Sequence, residues 1–229
     1  GSPDVVISPS RFLLDAHLGL GFFPRSRTVV IPNPAPSLGS RRVTLHSPLP
    51  TFLFAGQLEP HKGITDLLDV WPSITGTCPG ATLEIVGDGS STDEIRRRVQ
   101  KMTGVVAHGR LSPDAVLGAM RRAAFIVVPS RIVENAPSVI TEGMAQGTPT
   151  IASRIGGSPE LGQEGVNGFL FEPGDPVALV AALRQACAAL PRWRELSDNA
   201  LRSATERTSE RHLASLIQIF TSLFMSSRA

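Results

Sequence analysis

VVPSRIVENAPSVITEGMAQGTPTIAS, residues 127–153, carries two carboxylates, Glu134 and Glu142, with seven residues between them. The apolar run from Phe125 to Val128 predicts a short buried strand. Pro129 stops it, and Asn135, Ala136 and Pro137 predict a turn, because Asn tolerates turn backbone and Pro fixes φ. From Ser138 to Gln146 the pattern is helical, with Val139, Ile140, Met144 and Ala145 apolar, and Gly147-Thr148-Pro149 ends it. A strand, a loop and a helix in that order bring the helix N-terminus to the carboxyl edge of a sheet. Unpaired N–H groups and the positive end of the helix dipole collect there, so the place suits an anion such as a diphosphate. Glu134 precedes the helix and Glu142 lies about one turn inside it, where carboxylates can accept hydrogen bonds from sugar hydroxyls. The plainer alternative is a pair of glutamates favoured there by the dipole alone.

The same alternation runs outward in both directions. Strands are predicted at Val5 to Ser8, Val29 to Pro32, Phe52 to Ala55, Leu83 to Val86, Val105 to His108, Thr150 to Ala152 and Phe169 to Phe171. Between them lie helical windows with start signals. Ser10 is placed to cap Arg11 to Gly19, and Ser91 with Glu94 forms a capping box for a helix to Met102. Ser112-Pro113 opens a helix to Ala123, and Asp175-Pro176 one to Leu190, each a cap followed by Pro at the first helical position. Short continuous apolar strands alternating with helices predict an α/β doubly wound parallel sheet, Rossmann-like, covered on both faces. Such sheets bind ligands at the carboxyl ends of their strands. Residues 192–229 hold no strand and predict two helices, the last with a wide apolar stripe that includes Leu213, Ile217, Phe220 and Phe224. Pro34 to Pro50, rich in Pro, Ser and Arg, predicts a joining loop.

Composition narrows the function classes. The 229 residues are 41% hydrophobic and 18% charged, ordinary for a globular chain with a good core. Lys and Arg number 22 against 20 Asp and Glu, a balance that gives no nucleic-acid footprint. Arg96 to Arg98, Arg121-Arg122 and the arginines from Arg192 to Arg211 read as solvated helix faces. Cys78 and Cys187 show neither CxxC nor Cys/His spacing, so a structural metal or disulfide framework is not expected and a reducing cytoplasm fits. No apolar run approaches ~18 residues. Gly1-Ser2, with no Met, reads as the remnant of a cleaved tag, so the chain is expected to be a piece of a longer protein.

Other segments converge on the same sheet edge. In FLFAGQLEPHKGITDLL a strand ends at Gly56, and Lys62-Gly63 opens a helix carrying Ile64, Leu67 and Leu68. A lysine on such a loop is a point charge able to neutralise phosphate oxygens, although no Walker loop is present. Gly87-Asp88-Gly89 follows the next strand, where glycine lets backbone approach a ligand or simply makes a tight turn. Gly109-Arg110-Leu111 follows the one after. His61 is expected to be an exposed loop residue, and His108 a half-buried residue at a strand end with no catalytic role.

Together these segments resemble the retaining, nucleotide-sugar-dependent enzymes of glycosyltransferase family 4, which have the GT-B fold. Residues 127–153 resemble the E-x7-E signature, and Gly56-Gln57-Leu58 with Lys62-Gly63 resembles G-R-L followed by K-G, with Gln57 where the family carries Arg. Gly87 and Gly89 match the G-x-G, while Gly156-Gly157 with Pro159-Glu160 and EGVNGFLF match two later stretches. The resemblance spans about Asp4 to Leu190. It implies one half of a GT-B fold: residues 1–33 as the last elements of the N-terminal half, 34–191 as a Rossmann-like nucleotide-sugar-binding domain, and 192–229 as helices crossing back to the absent half. It implies Glu142 on the ribose hydroxyls, Lys62 and Gln57 on the diphosphate, and Glu134 as the catalytic residue facing the transferred sugar. It further implies phosphate at the amides of Ala136, Pro137, Ser138 and Val139, and nucleobase at the backbone of Arg110 and Leu111. Gly157 and Glu160 are expected only to shape the pocket. No metal and no cofactor are expected beyond a UDP- or GDP-type sugar donor. The expected acceptor is a glycan, a lipid-linked sugar or a small molecule held by the absent half. A cytoplasmic protein, able to sit peripherally on the inner membrane face, is implied. The competing class is a nucleotide-binding module with no transfer activity of its own, and this chain alone is expected to be inactive.

Overall fold

A computed structural model describes residues 2–36, 38 and 50–226. Eight strands and nine α-helices are described: β1 (Val5–Ser8), α1 (Arg11–Gly19), β2 (Arg27–Val30), β3 (Thr51–Ala55), α2 (Ile64–Thr75), β4 (Thr82–Val86), α3 (Thr92–Val99), β5 (Val105–Gly109), α4 (Pro113–Arg122), β6 (Phe125–Val128), α5 (Ser138–Ala145), β7 (Thr150–Ser153), α6 (Ser158–Leu161), β8 (Gly168–Phe171), α7 (Pro176–Ala188), α8 (Trp193–Thr205) and α9 (Ser209–Ser226). All eight expected strands form, β2 two residues earlier than its apolar run suggests. β1 and β2 make a small parallel sheet of their own, and the other six form a parallel sheet in the order β5-β4-β3-β6-β7-β8. The chain therefore runs outward from β3 to β5, returns to β6 beside β3, and runs outward the other way. The doubly wound α/β class is what the sequence predicts.

Strand alternation explains why both faces are covered. Phe52 and Phe54 of β3, with Phe125 and Val127 of β6, point into a core shared with α2 and α7. Leu53, Ile126 and Val128 point the other way, into a core shared with α4, α5 and α8. Phe52 stacks on Phe125 at 5.6 Å and meets Trp71 edge-on at 5.5 Å. Fully burying one such ring stabilises by about 1.5–3 kcal/mol, so β3 and β6 are the fixed centre of the molecule. Trp193 of α8 adds a buried indole N–H to Ala124 O at 2.8 Å.

Most helix starts follow their capping residues. Ser10 Oγ accepts from Leu13 N at 3.2 Å, and Asp175 Oδ1 from Val177 N and Ala178 N at 2.8 and 3.0 Å. Ser112 accepts from Ala115 N at 3.4 Å. The capping box expected at Ser91 does not form. Ser91 sits at φ −92°, ψ 6°, outside the extended region a cap needs, and makes no side-chain cap bond. Thr92 instead closes the turn, its Oγ1 accepting from Gly89 N at 2.9 Å. α3 stops at Val99 rather than Met102, and α7 at Ala188 rather than Leu190. The joining loop expected over Pro34 to Pro50 lies mostly outside the described residues.

The two expected C-terminal helices form. α8 packs on α5, with Ser197 Oγ donating to Gly147 O at 2.6 Å. α9 turns one side to the small sheet, where Arg27 Nη1 donates to Ser222 Oγ at 3.3 Å and His212 Nδ1 lies 2.9 Å from Pro32 O. Its other side leaves Leu213, Ile217, Phe220 and Phe224 exposed. Among the described residues no helix is long and apolar enough to cross a membrane.

Candidate functional site

The strand order reverses between β3 and β6, and crevices at such switch points are where open α/β sheets take ligands. Two loops leave the sheet there. One runs from Gly56 to a short 3-10 turn at Pro60–Lys62, and the other from Pro129 to Pro137. They meet in an ion pair, Lys62 Nζ to Glu134 Oε1 at 3.0 Å, with 25% and 18% of the two side chains exposed. Gly63 allows the meeting. At φ +72° it is left-handed, and a Cβ there would stand 1.8 Å from Pro129 O. Arg131 N donates to His61 O at 2.8 Å and its guanidinium pairs with Asp66, which further ties the two loops. His61 is thus half-buried in the turn rather than an exposed loop residue.

The cleft above this junction has two lobes with a common floor. The first, about 190 Å³, is lined by Lys62, Ser130 and Glu134. The second, about 430 Å³, is lined by Gly87, Asp88, Arg110, Leu111 and Glu142. Ala55, Gly56, Gln57, Ser138 and Val139 line both. Lys62 and Glu142, 80 positions apart in the chain, so border one continuous depression. The N-terminus of α5 opens onto it with no side-chain cap. Its first amides lack intrahelical partners and supply a positive edge.

Three of the expected site residues lie elsewhere. Gly89 lines neither lobe and instead shapes the turn into α3. Ala136 and Pro137 also lie off the cleft wall, and Pro137, the α5 N-cap, has no N–H to offer. The amides left to meet an anion are those of Ser138 and Val139. Gly87 lines the second lobe at φ +140°, where a Cβ would sit 1.8 Å from Gly56 O. His108 Nε2 lies 3.2 Å from Glu84 Oε2, away from both lobes.

Three contributors escape a reading of the sequence. Ser130 Oγ is buried without a hydrogen-bond partner beside the first lobe. Asp88 lies 3.9 Å from Arg110, whose side chain is 82% exposed. Glu59 latches the β3 loop to the β4 loop, accepting from Ser90 N at 2.8 Å and Ser90 Oγ at 2.5 Å. The Ser90 hydroxyl and then the Ser90 amide hold its carboxyl below the usual glutamate range, against a small opposing effect of burial. Ser130 and Asp88 do carry a signal, since each directly follows a strand end with Pro or Gly. Nothing local marks Glu59. Among the described residues no three His, Cys, Asp or Glu side chains converge to hold a metal.

The cleft thus carries the Lys62–Glu134 pair in one lobe, the Glu142 carboxylate in the other, and the start of α5 along both. Known proteins share both its sequence and its frame. Residues 49–189 match the family described as glycosyl transferases group 1. An uncharacterized glycosyltransferase of Methanocaldococcus jannaschii is 37% identical over 126 residues, covering 54% of this chain and 34% of that protein. The glycogen synthase of Mycobacterium tuberculosis is 36% identical over 137 residues, covering 58% and 32%. The matched stretch spans about a third of the length of these curated relatives. Among solved structures, sucrose-phosphate synthase from Thermosynechococcus elongatus superposes with a TM-score of 0.82 at 26% identity, over 98% of this chain and 59% of that one. Anabaena HepE in complex with UDP has the same fold, with a TM-score of 0.80 at 22% identity over 96% of this chain and 64% of that one. The chain belongs to the glycosyl transferases group 1 family.

Proposed function

We propose that the chain is the donor-binding half of a retaining GT-B glycosyltransferase of family 4, which moves a sugar from a nucleoside diphosphate to an acceptor hydroxyl. The observation that carries this reading is the junction of Lys62 and Glu134 across the switch point, with Glu142 on the adjoining lobe. A sugar nucleotide is long, with an anionic middle between two hydroxyl-bearing ends, and the groove offers matching groups in that order. Lys62, Gln57 and the amides of Ser138 and Val139 meet the diphosphate. Glu142 accepts from the ribose hydroxyls, the backbone of Arg110 and Leu111 borders the base, and Glu134 faces the transferred sugar.

Charge leaves with the diphosphate as the glycosidic bond breaks. A fixed ammonium and a helix N-terminus stabilise that charge without reorganising, which is electrostatic preorganisation. Besides the donor and the acceptor, the transfer calls on no further cofactor. Residues 1–33 then belong with the acceptor half, residues 34–191 form the donor domain, and residues 192–229 cross back. The separate β1–β2 sheet and the bonds of α9 to Pro32 and Arg27 support that division. The acceptor and any attachment to the cytoplasmic membrane face belong to that other half. By itself this chain binds nucleotide sugar without transferring it.

Thermal shift against UDP, GDP, ADP and their sugars tests the reading, and uridine comes first because the same fold in HepE was crystallised with UDP and with UDP-glucose. A ligand at about 100 times its dissociation constant should stabilise by about 2.7 kcal/mol. Silence from every nucleotide would leave an interaction domain that binds no phosphate. Robust turnover by this chain alone would overturn its assignment as a donor half.

A further inference from the structure

Glu160, the third residue of the short helix α6, reaches away from the cleft to cap α1. Its Oε2 accepts from Arg11 N at 2.8 Å and its Oε1 from Phe12 N at 2.6 Å. With Ser10 Oγ on Leu13 N, the first three amides of α1 are satisfied, two of them by a side chain some 149 positions away. α1 lies between β1 and β2, which form a sheet separate from the six-stranded one. Glu160 therefore bonds one layer to the other.

The opposite side of α6 rests on the site. Glu160 N donates to Gly157 O at 3.1 Å, and Gly157 N donates to Glu134 O at 2.8 Å. The Gly156-Gly157 turn lies directly on the Glu134-Asn135 backbone. A Cβ on Gly156 would stand 2.2 Å from Glu134 O, and one on Gly157 would stand 2.0 Å from Asn135 O and 3.4 Å from Ser10 Cβ. Arg207 closes the hub, its Nη2 donating to Glu160 O at 3.3 Å while its own carbonyl accepts from Ala35 N at 2.6 Å. The small-sheet layer, through α1, and the α8–α9 junction, through Arg207, thus both bond to Glu160, and the chain leaving the small sheet bonds to Arg207.

We infer that Glu160 is a positioning residue, which couples the placement of the β1–α1–β2 layer to the placement of the Glu134 carboxylate. Lys62 and Glu142 stand on α2's entry turn and on α5, neither of which bonds to Glu160, so a shift of the layer moves Glu134 relative to them. The consequence for ligands rests on the proposed function: Glu160 governs how well the sugar is held, and reaches the nucleotide only through the pairing of Glu134 with Lys62.

Amide hydrogen exchange on the 229-residue chain tests the coupling without any ligand. Glu160→Ala should lose protection over residues 130–137 as well as over residues 10–14. Glu160→Gln, which keeps an accepting oxygen, should lose less in both. Arg11→Pro guards against misfolding: Pro is tolerated at the first helical position after an extended residue, which Ser10 is, and it deletes one of the two backbone donors to Glu160. It should loosen both stretches to an intermediate degree. Loss confined to residues 10–14 in all three variants would make Glu160 a helix cap and nothing more. Calorimetry with UDP and UDP-glucose then reads the consequence. Because Glu134 also engages Lys62, UDP affinity should shift in the same direction in Glu160→Ala and Glu134→Gln, while both variants should lose the increment that glucose adds. Equal weakening of both ligands overturns the sugar-specific role. A wild-type chain that binds neither overturns the proposed function and this ligand consequence together, while the exchange result still decides the coupling.

Discussion

The two lobes of the cleft share the floor from Ala55 to Gln57 and the start of α5, yet they are built on opposite terms. In the narrow lobe, loops from adjacent central strands close on each other, and the cation is already engaged by Glu134 at 3.0 Å in a partly buried setting. In the wide lobe, Arg110 stands 82% exposed and 3.9 Å from Asp88, a separation at which water competes easily. Glu142 there makes no ion pair among the described residues. An anion entering the narrow lobe must share or displace an internal carboxylate. A hydroxyl entering the wide lobe needs only an acceptor that is already waiting. One end of the groove is thus tuned by competition between charges and the other by simple complementarity.

Removing the cation should break this contrast most severely. Lys62→Ala deletes the charge proposed to meet the diphosphate and leaves Glu134 without that cation, where it would repel the same anion. The loss of one charged hydrogen bond corresponds to about 1.5–3 kcal/mol, or roughly 10- to 150-fold in UDP affinity by calorimetry. A change below about threefold, within the range of an exposed surface pair, would remove the diphosphate from this lobe.

The wide lobe should respond more mildly and with a chemical signature. Glu142→Ala is expected to weaken UDP about tenfold, the lower end for a hydrogen bond to a carboxylate. The wild-type chain should also prefer UDP to its 2′-deoxy analogue, and the variant should not. That non-additivity is what a direct contact predicts, whereas a preference surviving in the variant would place the ribose elsewhere.

Gln57 sits on the floor common to both lobes, where the family that the sequence resembles carries a second cation. Gln57→Arg should tighten UDP by about 0.2–1 kcal/mol, the usual worth of an exposed charge pair. The gain should shrink as salt is raised toward 1 M, where the screening length falls to about 3 Å. A salt-independent gain would point to altered packing of the loop and not to a charge on the phosphate.

What the sequence disclosed and what it withheld divide along a physical line. β3, β6 and their neighbours were legible because buried parallel strands are continuous apolar runs, and Phe125 to Val128 is buried along its whole length. That Lys62, Glu134 and Glu142 border one cleft was legible because the segments that follow such strands start from one edge of the sheet. Ties across the chain were not. Glu59 finds Ser90 only after two loops fold side by side, and Glu160 finds Arg11 only once α6 meets α1. The failed capping box at Ser91 has the same cause. The adjacent turn fixes Ser91 in a non-extended conformation, and tertiary context overrode a good local pattern. His61 also reads as exposed from sequence, because the bond its carbonyl accepts comes from Arg131 on the other loop.

The smallest effect concerns the latch that holds the rim of the wide lobe. Glu59 accepts twice from Ser90, and those bonds favour its ionised form, so its folded pKa lies below the ordinary glutamate range. A carboxyl whose pKa is depressed by folding adds stability that is fully present above its unfolded pKa and is lost as pH falls through the folded one. The melting temperature of the wild-type chain should therefore exceed that of Glu59→Gln by a constant margin from neutral pH down to the ordinary carboxylate range. Below it the margin should close, because the protonated wild-type side chain and the amide then offer Ser90 similar partners. Other carboxylates titrate in the same acid window, but they are common to both proteins and cancel in the difference. A margin unchanged to the lowest pH at which both remain folded would mean that Glu59 holds the rim through shape and not through charge. The wide lobe would then owe its width to the packing of the two loops alone.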